Sequence, residues 1–334
     1  MTAPTPTGPT RRGFLALAAA AGVTAVAAGC GSEQSGSEGA DGGAVTVTHA
    51  FGETTVAAPP TRVVSAGFTE ADDLLAVGIV PIATTDWWGE QPYGVWPWAR
   101  SALGPAQPEL LSLADGIQVE RIAALRPDLI VAINAGVDAE TYRRLSEIAP
   151  TIPQAGRAAF FEPWREQAST IGAVAFQGPR MTELIKTVDE GFSAAGTAHP
   201  SFTGTKALLL GGSTDWENSV RVSTEGWRTE FLTRLGFHIP KVDGTPAGDG
   251  RVLVPLDRID GALDGADVLI WTTESDEERD RLLAVPQIAA LAATKAGRNV
   301  FTDRELAGAI AYSSVLSLPV VADRLPPLLA AALG

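Results

Sequence analysis

The sequence predicts an α/β fold of two lobes, each built on a central, mostly parallel sheet, joined by one long helix. Three observations predict it. Short continuous apolar runs, as at 62–66 and 128–133, alternate with segments of helical period, which is the pattern of parallel strands covered on both faces. Midway, from 163 to 198, the pattern becomes wholly helical. Strand–helix alternation then restarts at Lys206 and makes a second lobe.

Taken in order, residues 45–48 and 54–56 alternate apolar and polar around Gly52 and predict a hairpin. Residues 62–66 form a buried strand ended by Gly67. Thr69 caps a helix over 70–77, and Gly78 closes it. Residues 80–84 are the next strand, and the Gly- and Pro-rich stretch 86–116 is irregular. A helix over 119–125 stops before Pro127, a strand covers 128–133, and a helix over 139–148 ends before Pro150. Pro163 opens a helix over 163–176, which Gly178-Pro179 breaks. The helix over 179–198 that follows is about 30 Å long, enough to bridge two lobes. Its apolar residues Met181, Leu184, Ile185, Val188 and Phe192 follow helical spacing. Strands over 206–211 and 219–222, a helix over 227–235 and a helix over 256–263 come next. Strands over 267–272 and 299–302 follow, and a helix over 315–333, bent or interrupted by Pro319 and Pro326, closes the chain. The lobes are thus 45–162 and 200–334, with the helical span 163–199 between them.

The first 44 residues read differently. Thr10-Arg11-Arg12-Gly13-Phe14-Leu15 is a twin-arginine export pattern, and the apolar run to Ala28 is shorter than the roughly 20 residues that span a bilayer. Ala27-Ala28-Gly29-Cys30 resembles a lipobox, with Ala27 where Leu is usual, so 1–29 reads as a lipoprotein signal peptide and Cys30 as the lipidated residue. Residues 30–44, rich in Gly, Ser and acidic side chains, bury too little apolar surface to order themselves and read as a flexible tether. The expected location is therefore the outer face of the cell membrane. Cys30 is the sole cysteine, which excludes disulfides and thiol chemistry from the body. Without residues 1–29 the chain keeps 23 basic against 39 acidic side chains, a net charge of −16 that repels nucleic acid and anionic headgroups.

The stretch from Trp87 to Arg100 holds Trp87, Trp88, Trp96 and Trp98, half of the eight tryptophans, with Tyr93 and Glu90 among them. It follows a strand, where open α/β sheets bind ligands, and indole faces suit flat or aromatic-rich chelates. Against this stands the reading that the loop buries its tryptophans as a small core of its own. Other candidates at strand ends are Phe68, Thr69 and Asn134 in the first lobe. In the second they are Trp216, Arg221, Trp271 with Thr272 to Glu274, and Tyr312 with Ser313 and Ser314, Trp227 being weaker. His49, His199 and His238 are scattered and argue against a bare Zn²⁺ or Cu site.

Several runs resemble a known family. They are Pro60-Thr61-Arg62-Val63-Val64, then Thr69 to Gly78 (TEADDLLAVG), then Gly116 to Ile130 (GIQVERIAALRPDLI), then Leu145 to Thr151 (LSEIAPT). The chain resembles the helix-spine substrate-binding proteins of ferric-siderophore, haem and vitamin B12 ABC importers, and among them the actinobacterial FecB-type iron-complex lipoproteins. The resemblance covers nearly everything from Val45 onward. It implies a cleft between the lobes for one metal complex, small hinge motions limited by the long helix, no catalysis, no intrinsic cofactor and a monomeric state. It also implies two surface carboxylates, one per lobe, that dock on permease arginines. Glu109 matches in the first lobe, and Glu230 or Glu225 is the choice in the second, each also readable as an ordinary solvated glutamate.

Within that frame the aromatic loop supplies only Arg100 as a cation, opposed by Glu90, which favours a neutral or amphipathic chelate. A ferric siderophore brings its own iron ligands, so the protein ligates nothing. Haem is the alternative, with Tyr93 or Tyr312 as an axial ligand, and a corrinoid is another. A secreted hydrolase is a further class, but Gly211-Gly212-Ser213 lacks the closing glycine of a nucleophile elbow, Asp215 standing there. Neither a phosphate-binding Gly loop nor a second apolar segment of spanning length is present.

Overall fold

A computed structural model describes residues 43–156, 158–215 and 218–334. The export pattern, Cys30 and most of the tether lie outside the described residues, as does Trp216.

The body opens with a hairpin, β1 (Val45–His49) and β2 (Gly52–Val56), in the register Val45 to Val56. The first sheet is wholly parallel. It is built from β3 (Val63–Ser65), β4 (Ala83–Asp86), β5 (Glu109–Ser112), β6 (Leu129–Ala132) and β7 (Thr151–Pro153), in the order β5-β4-β3-β6-β7. Its crossovers are α1 (Glu70–Ala76), α2 (Arg100–Leu103), α3 (Val119–Leu125) and α4 (Ala139–Ser146). Every side chain of β3, β6 and β7 is buried, as continuous apolar strands between helical layers require. Asp138 caps α4 by accepting the Thr141 N–H at 2.7 Å.

Two helices then cross the molecule, α5 (Trp164–Val174) and the 21-residue α6 (Gly178–Ala198). At their crossing Gly172 lets Met181 approach so closely that a Cβ there would lie 2.6 Å from the Met181 Cβ. Met181, Val188 and Phe192 face inward from α6, joining a core that runs from α1 and α5 of the first lobe into the second.

The second sheet is mixed, in the order β10-β11-β9-β8-β12-β13. Its strands are β8 (Ala207–Gly211), β9 (Ser219–Ser223), β10 (Thr245–Pro246), β11 (Arg251–Pro255), β12 (Val268–Thr272) and β13 (Asn299–Phe301). The pairs β8–β12 and β12–β13 are parallel, whereas β8–β9, β9–β11 and β10–β11 are antiparallel. Around it lie α7 (Glu230–Arg234), α8 (Ile259–Leu263), α9 (Asp276–Leu283), α10 (Pro286–Ala290), α11 (Ala292–Lys295), α12 (Arg304–Tyr312) and α13 (Leu318–Leu333). Pro319 falls in the first turn of α13, and Pro326 and Pro327 lie inside it.

Both lobes lock a strand start with the same device. Asp128 accepts the N–H of Thr61 and of Arg62, each at 2.8 Å, and Asp267 accepts the N–H of Lys206 at 2.8 Å. Burial works to raise the Asp128 carboxyl, but these bonds prevail and hold it below the usual carboxylate range.

Candidate ligand-binding cleft

The carboxyl ends of β4 and β8 face a cavity of about 300 Å³ between the lobes. Trp87, Trp88 and Phe161 form the first-lobe wall. Gly211, Gly212 and Ser213, at the end of β8, form part of the floor. A Cβ on Gly212 would stand 2.2 Å from the Thr272 carbonyl, so this turn needs glycine to lie flat against β12.

The wall is an aromatic raft. Trp87 stacks on Phe68 at 5.3 Å, meets Phe161 at 5.4 Å and takes Trp88 edge-on at 6.0 Å. Phe161 has a left-handed backbone (φ 60°), held by its N–H bond to Asn134 Oδ1 at 3.0 Å. Beneath the wall Trp96, 1 % exposed, stacks on Trp98 at 5.0 Å. It is wedged between Gly89 and Gly308, where Cβ atoms would come within 2.4 and 2.6 Å of its ring. The loop therefore does both things weighed from sequence: Trp87 and Trp88 face the cavity, while Trp96 and Trp98 pack inward.

The adjoining flank is cationic. Arg221 on β9, Arg251 on β11 and Arg228 before α7 all line the cavity. The antiparallel register, Arg251 beside Ser223 and Leu253 beside Arg221, brings together residues 30 positions apart. Asp249 sits among them, accepting from Arg251 Nε at 2.8 Å, while its carbonyl accepts from Arg228 Nε at 2.6 Å. The Arg228 guanidinium lies over Trp227 at 4.2 Å and Phe161 at 5.0 Å, and its buried Nη2 has no hydrogen-bond partner. Burial first, then Arg251, lowers Arg228 to about 10; Arg221 is lowered by burial and Arg251 as well. Burial favours a neutral Asp249, but the arginines overcome it and keep its carboxyl below the usual range. Among the described residues Arg228 and Arg251 share the one carboxylate of Asp249, so this flank carries more positive than negative charge and suits an anionic group. Glu274 and Glu278 line the other side, beyond β8 and roughly 10 Å from β9 at two strand spacings.

Of the residues expected from sequence, Trp87, Trp88, Arg221, Thr272 and Glu274 line this cavity. Thr69, Asn134, Tyr312 and Ser313 line a much smaller space beside it, with Trp227 and Gln167, and Phe68 backs the wall. Others lie elsewhere. Trp271 is fully buried in the second-lobe core with its Nε1 bonded to Asn299 at 3.0 Å, because it sits inside β12 rather than past its end. Tyr93 and Arg100 face a separate groove on the outside of the first lobe. The expectation of a neutral or amphipathic ligand rested on Arg100, which lies outside this cavity, whereas the cavity itself is lined by Arg221, Arg228 and Arg251. Neither tyrosine suits haem iron: Tyr93 is outside the cleft, and burial first, then Asp72, push the Tyr312 phenol far above its usual range, away from a phenolate. Phe161, Arg228 and Arg251 were not anticipated; the signal available was one Arg in each of two short strands, Arg221 in β9 and Arg251 in β11 directly after Gly-Asp-Gly.

The proposed docking carboxylates are also dispersed. Glu109 opens β5 at the amino ends of the strands, opposite Ala83, and accepts from Arg121 Nε at 2.8 Å. Glu230 is held by Arg165 at 3.0 Å and Arg234 at 3.0 Å, in a network with Asp189 that ties α5, α6 and α7 together. Glu225 is exposed on the turn after β9.

A profile of the periplasmic binding protein family matches residues 63–306. The chain belongs to that family. A periplasmic binding protein is a transport component rather than an enzyme, and so is this chain. The structure of a periplasmic solute binding protein from Mycobacterium smegmatis is similar at 60 % identity and TM-score 0.83, covering 87 % of this chain and 99 % of that one. The Fe(3+) dicitrate-binding periplasmic protein FecB of Escherichia coli is 28 % identical over 204 residues, 59 % of this chain; the match spans 63 % of FecB. The iron-uptake substrate-binding protein PiaA of Streptococcus pneumoniae, in complex with ferrichrome, shares the fold at TM-score 0.72 and 23 % identity, over 86 % of this chain and 98 % of that one. Among the described residues of this periplasmic binding protein no helix is long and apolar enough to cross a membrane, and no group of three or more His, Cys, Asp or Glu is placed to hold a metal ion.

Proposed function

We propose that this periplasmic binding protein captures an anionic ferric siderophore and hands it to the permease of an ABC importer, tethered to the membrane by lipid on Cys30 after twin-arginine export. The observation that carries the reading is that an aromatic wall, Trp87, Trp88 and Phe161, and an arginine flank, Arg221, Arg228 and Arg251, line one cavity and meet where Arg228 lies over Phe161. A chelate that already fills the iron's coordination sphere needs only stacking and charge from the protein. The likeness to FecB, named for Fe(3+) dicitrate, supports a carboxylate-rich chelate.

For delivery, two positions match between the lobes. Val119-Glu120-Arg121-Ile122 at the start of α3 repeats as Leu256-Asp257-Arg258-Ile259 entering α8, with the same alternation of buried and exposed side chains. Glu120 is 82 % exposed on its side chain even beside Arg144, and Asp257 is exposed. Glu120 pairs with Arg144, yet its side chain is far more exposed than those of Glu109 and Glu230, so this pair suits a docking role of one accessible carboxylate per lobe better.

The test is a titration of tryptophan fluorescence with ferric citrate, a neutral ferric hydroxamate and haemin. Saturable quenching by ferric citrate that weakens with added salt is expected. Binding of haemin alone, with a shifted Soret band, would replace this reading with haem transport.

A further inference from the structure

Helix α1 begins with Glu70, Asp72 and Asp73, three buried carboxylates whose partners are all neutral. Glu70 accepts the N–H of Asn134 at 2.7 Å and of Thr69 at 3.0 Å, and Asp73 accepts Gln167 Nε2 at 2.8 Å. Asp72 differs in what it joins. Its Oδ2 accepts Trp98 Nε1 at 2.7 Å and Ser314 Oγ at 2.6 Å. Trp98 belongs to the loop behind the aromatic wall, where it stacks on Trp96 and meets Tyr312 edge-on at 5.7 Å. Ser314 belongs to the turn between α12 and α13 in the opposing lobe, a turn tied by bonds from the Ser314 and Ser317 N–H groups to each other's hydroxyls.

We infer that Asp72 is a positioning residue for ligand capture: one oxygen atom sets the aromatic wall against the opposing lobe without touching the ligand. The inference rests on the proposed cleft. Both bonds are charge-assisted while Asp72 is ionised, and Asp72 and Ser314 are buried, where such bonds are strongest. The titratable groups facing Asp72 are Glu70 and Asp73 from its own helix and Tyr312 from α12; α5 presents neutral Gln167, and the Trp98 loop and the Ser314 turn are neutral. Burial raises Asp72 to about 6 against the pull of Ser314 and Trp98, while Asp73 is raised to about 8 and Glu70 to about 7, each by burial first. At neutral pH Asp72 thus keeps its charge, and acid removes it.

The test places spin labels on the two lobes of the full chain, at Glu140→Cys and Glu277→Cys with Cys30→Ser, and reads the inter-lobe distance. One narrow distance is expected at pH 8. Asp72→Asn broadens it, as do Ser314→Ala and Trp98→Phe, and taking the otherwise unaltered labelled chain to pH 5 has the same effect but leaves Asp72→Asn unmoved. Ferric citrate binds Asp72→Asn about tenfold more weakly at pH 8, the loss expected for bonds to a charged acceptor. Unchanged distances in the variants overturn the inference, and should Asp72→Asn fail to fold, Ser314→Ala and Trp98→Phe decide it. If ferric citrate binds no form while the distances respond, the ligand reading fails and the inter-lobe role of Asp72 stands.

Discussion

Replacing Arg228 by Met separates binding from folding. The side chain is 11 % exposed, lies over two rings and has one nitrogen, Nη2, without a hydrogen bond, 3.7 Å from the Asp249 carboxylate. Its lowering from 12.5 to about 10 corresponds to a cost on the order of 3 kcal/mol for keeping the charge in the folded protein. Met removes that cost, loses a cation–π contribution of about 1–2 kcal/mol and the bond to the Asp249 carbonyl of about 1 kcal/mol, and keeps contact with both rings. The terms nearly cancel, so Arg228→Met should melt within about 2–4 °C of the unaltered protein. Binding should respond far more. A lost bond between a buried guanidinium and a ligand anion is worth about 1.5–3 kcal/mol, or roughly ten- to a hundredfold in Kd. Isothermal titration with ferric citrate and thermal denaturation read the two effects side by side. Unchanged affinity would refute the anion reading of the arginine flank; a melting point many degrees lower would show Arg228 to be a structural group.

Other expectations follow from the same geometry. Trp96→Ala leaves a void between Gly89 and Gly308 and should cost about 3–5 kcal/mol in denaturant unfolding, whereas Trp88→Ala on the cavity wall should change stability little and weaken ligand quenching. Gly308→Ala drives a methyl to within 2.6 Å of the Trp96 ring and should destabilise by about 1–3 kcal/mol on the same assay. Asp73 holds its proton up to about pH 8 in the folded state and releases it near 4 when unfolded, so the native state binds the extra proton between those values. Its contribution to stability is full at the acid end and is lost as pH rises through about 8; Asp73→Asn should therefore flatten the fall in melting temperature from pH 5 to 8 relative to the unaltered protein. Glu120→Ala with Asp257→Ala should abolish cellular uptake of the ligand while leaving its affinity in solution unchanged.

Strands and helices with enough residues to show a period were legible in the sequence. The runs at 128–133 and 267–272 and the helix α6 all stand close to where the pattern put them. What was not legible is short or set by partners. β5 lies inside the stretch read as irregular, and β7 has three residues, too few for any alternation. β11 begins with Arg after Gly-Asp-Gly and ends on Pro, so its identity as a strand comes from pairing with β9. Helix α12 is rich in Ala and Gly and its period is faint, although Asp303 caps it by accepting from Leu306 N–H at 2.9 Å. For the site, composition marked the tryptophan loop, but which indoles face outward depends on Gly308, more than 200 positions away. The arginines of the cleft were not legible as a group because they converge through an antiparallel register that the chain order hides.

The α5–α6 crossing has a bearing on chemistry remote from packing. Met181 is the only sulfur atom among the described residues, and it is shut in at 1 % exposure. A chelated iron that cycles with peroxide produces oxidants that first strike accessible thioethers and thiols. On the proposed reading, the protein holds such a cargo behind walls that offer those oxidants no sulfur, so indole oxidation at Trp87 and Trp88, rather than methionine sulfoxide, would be the scar of a damaged molecule.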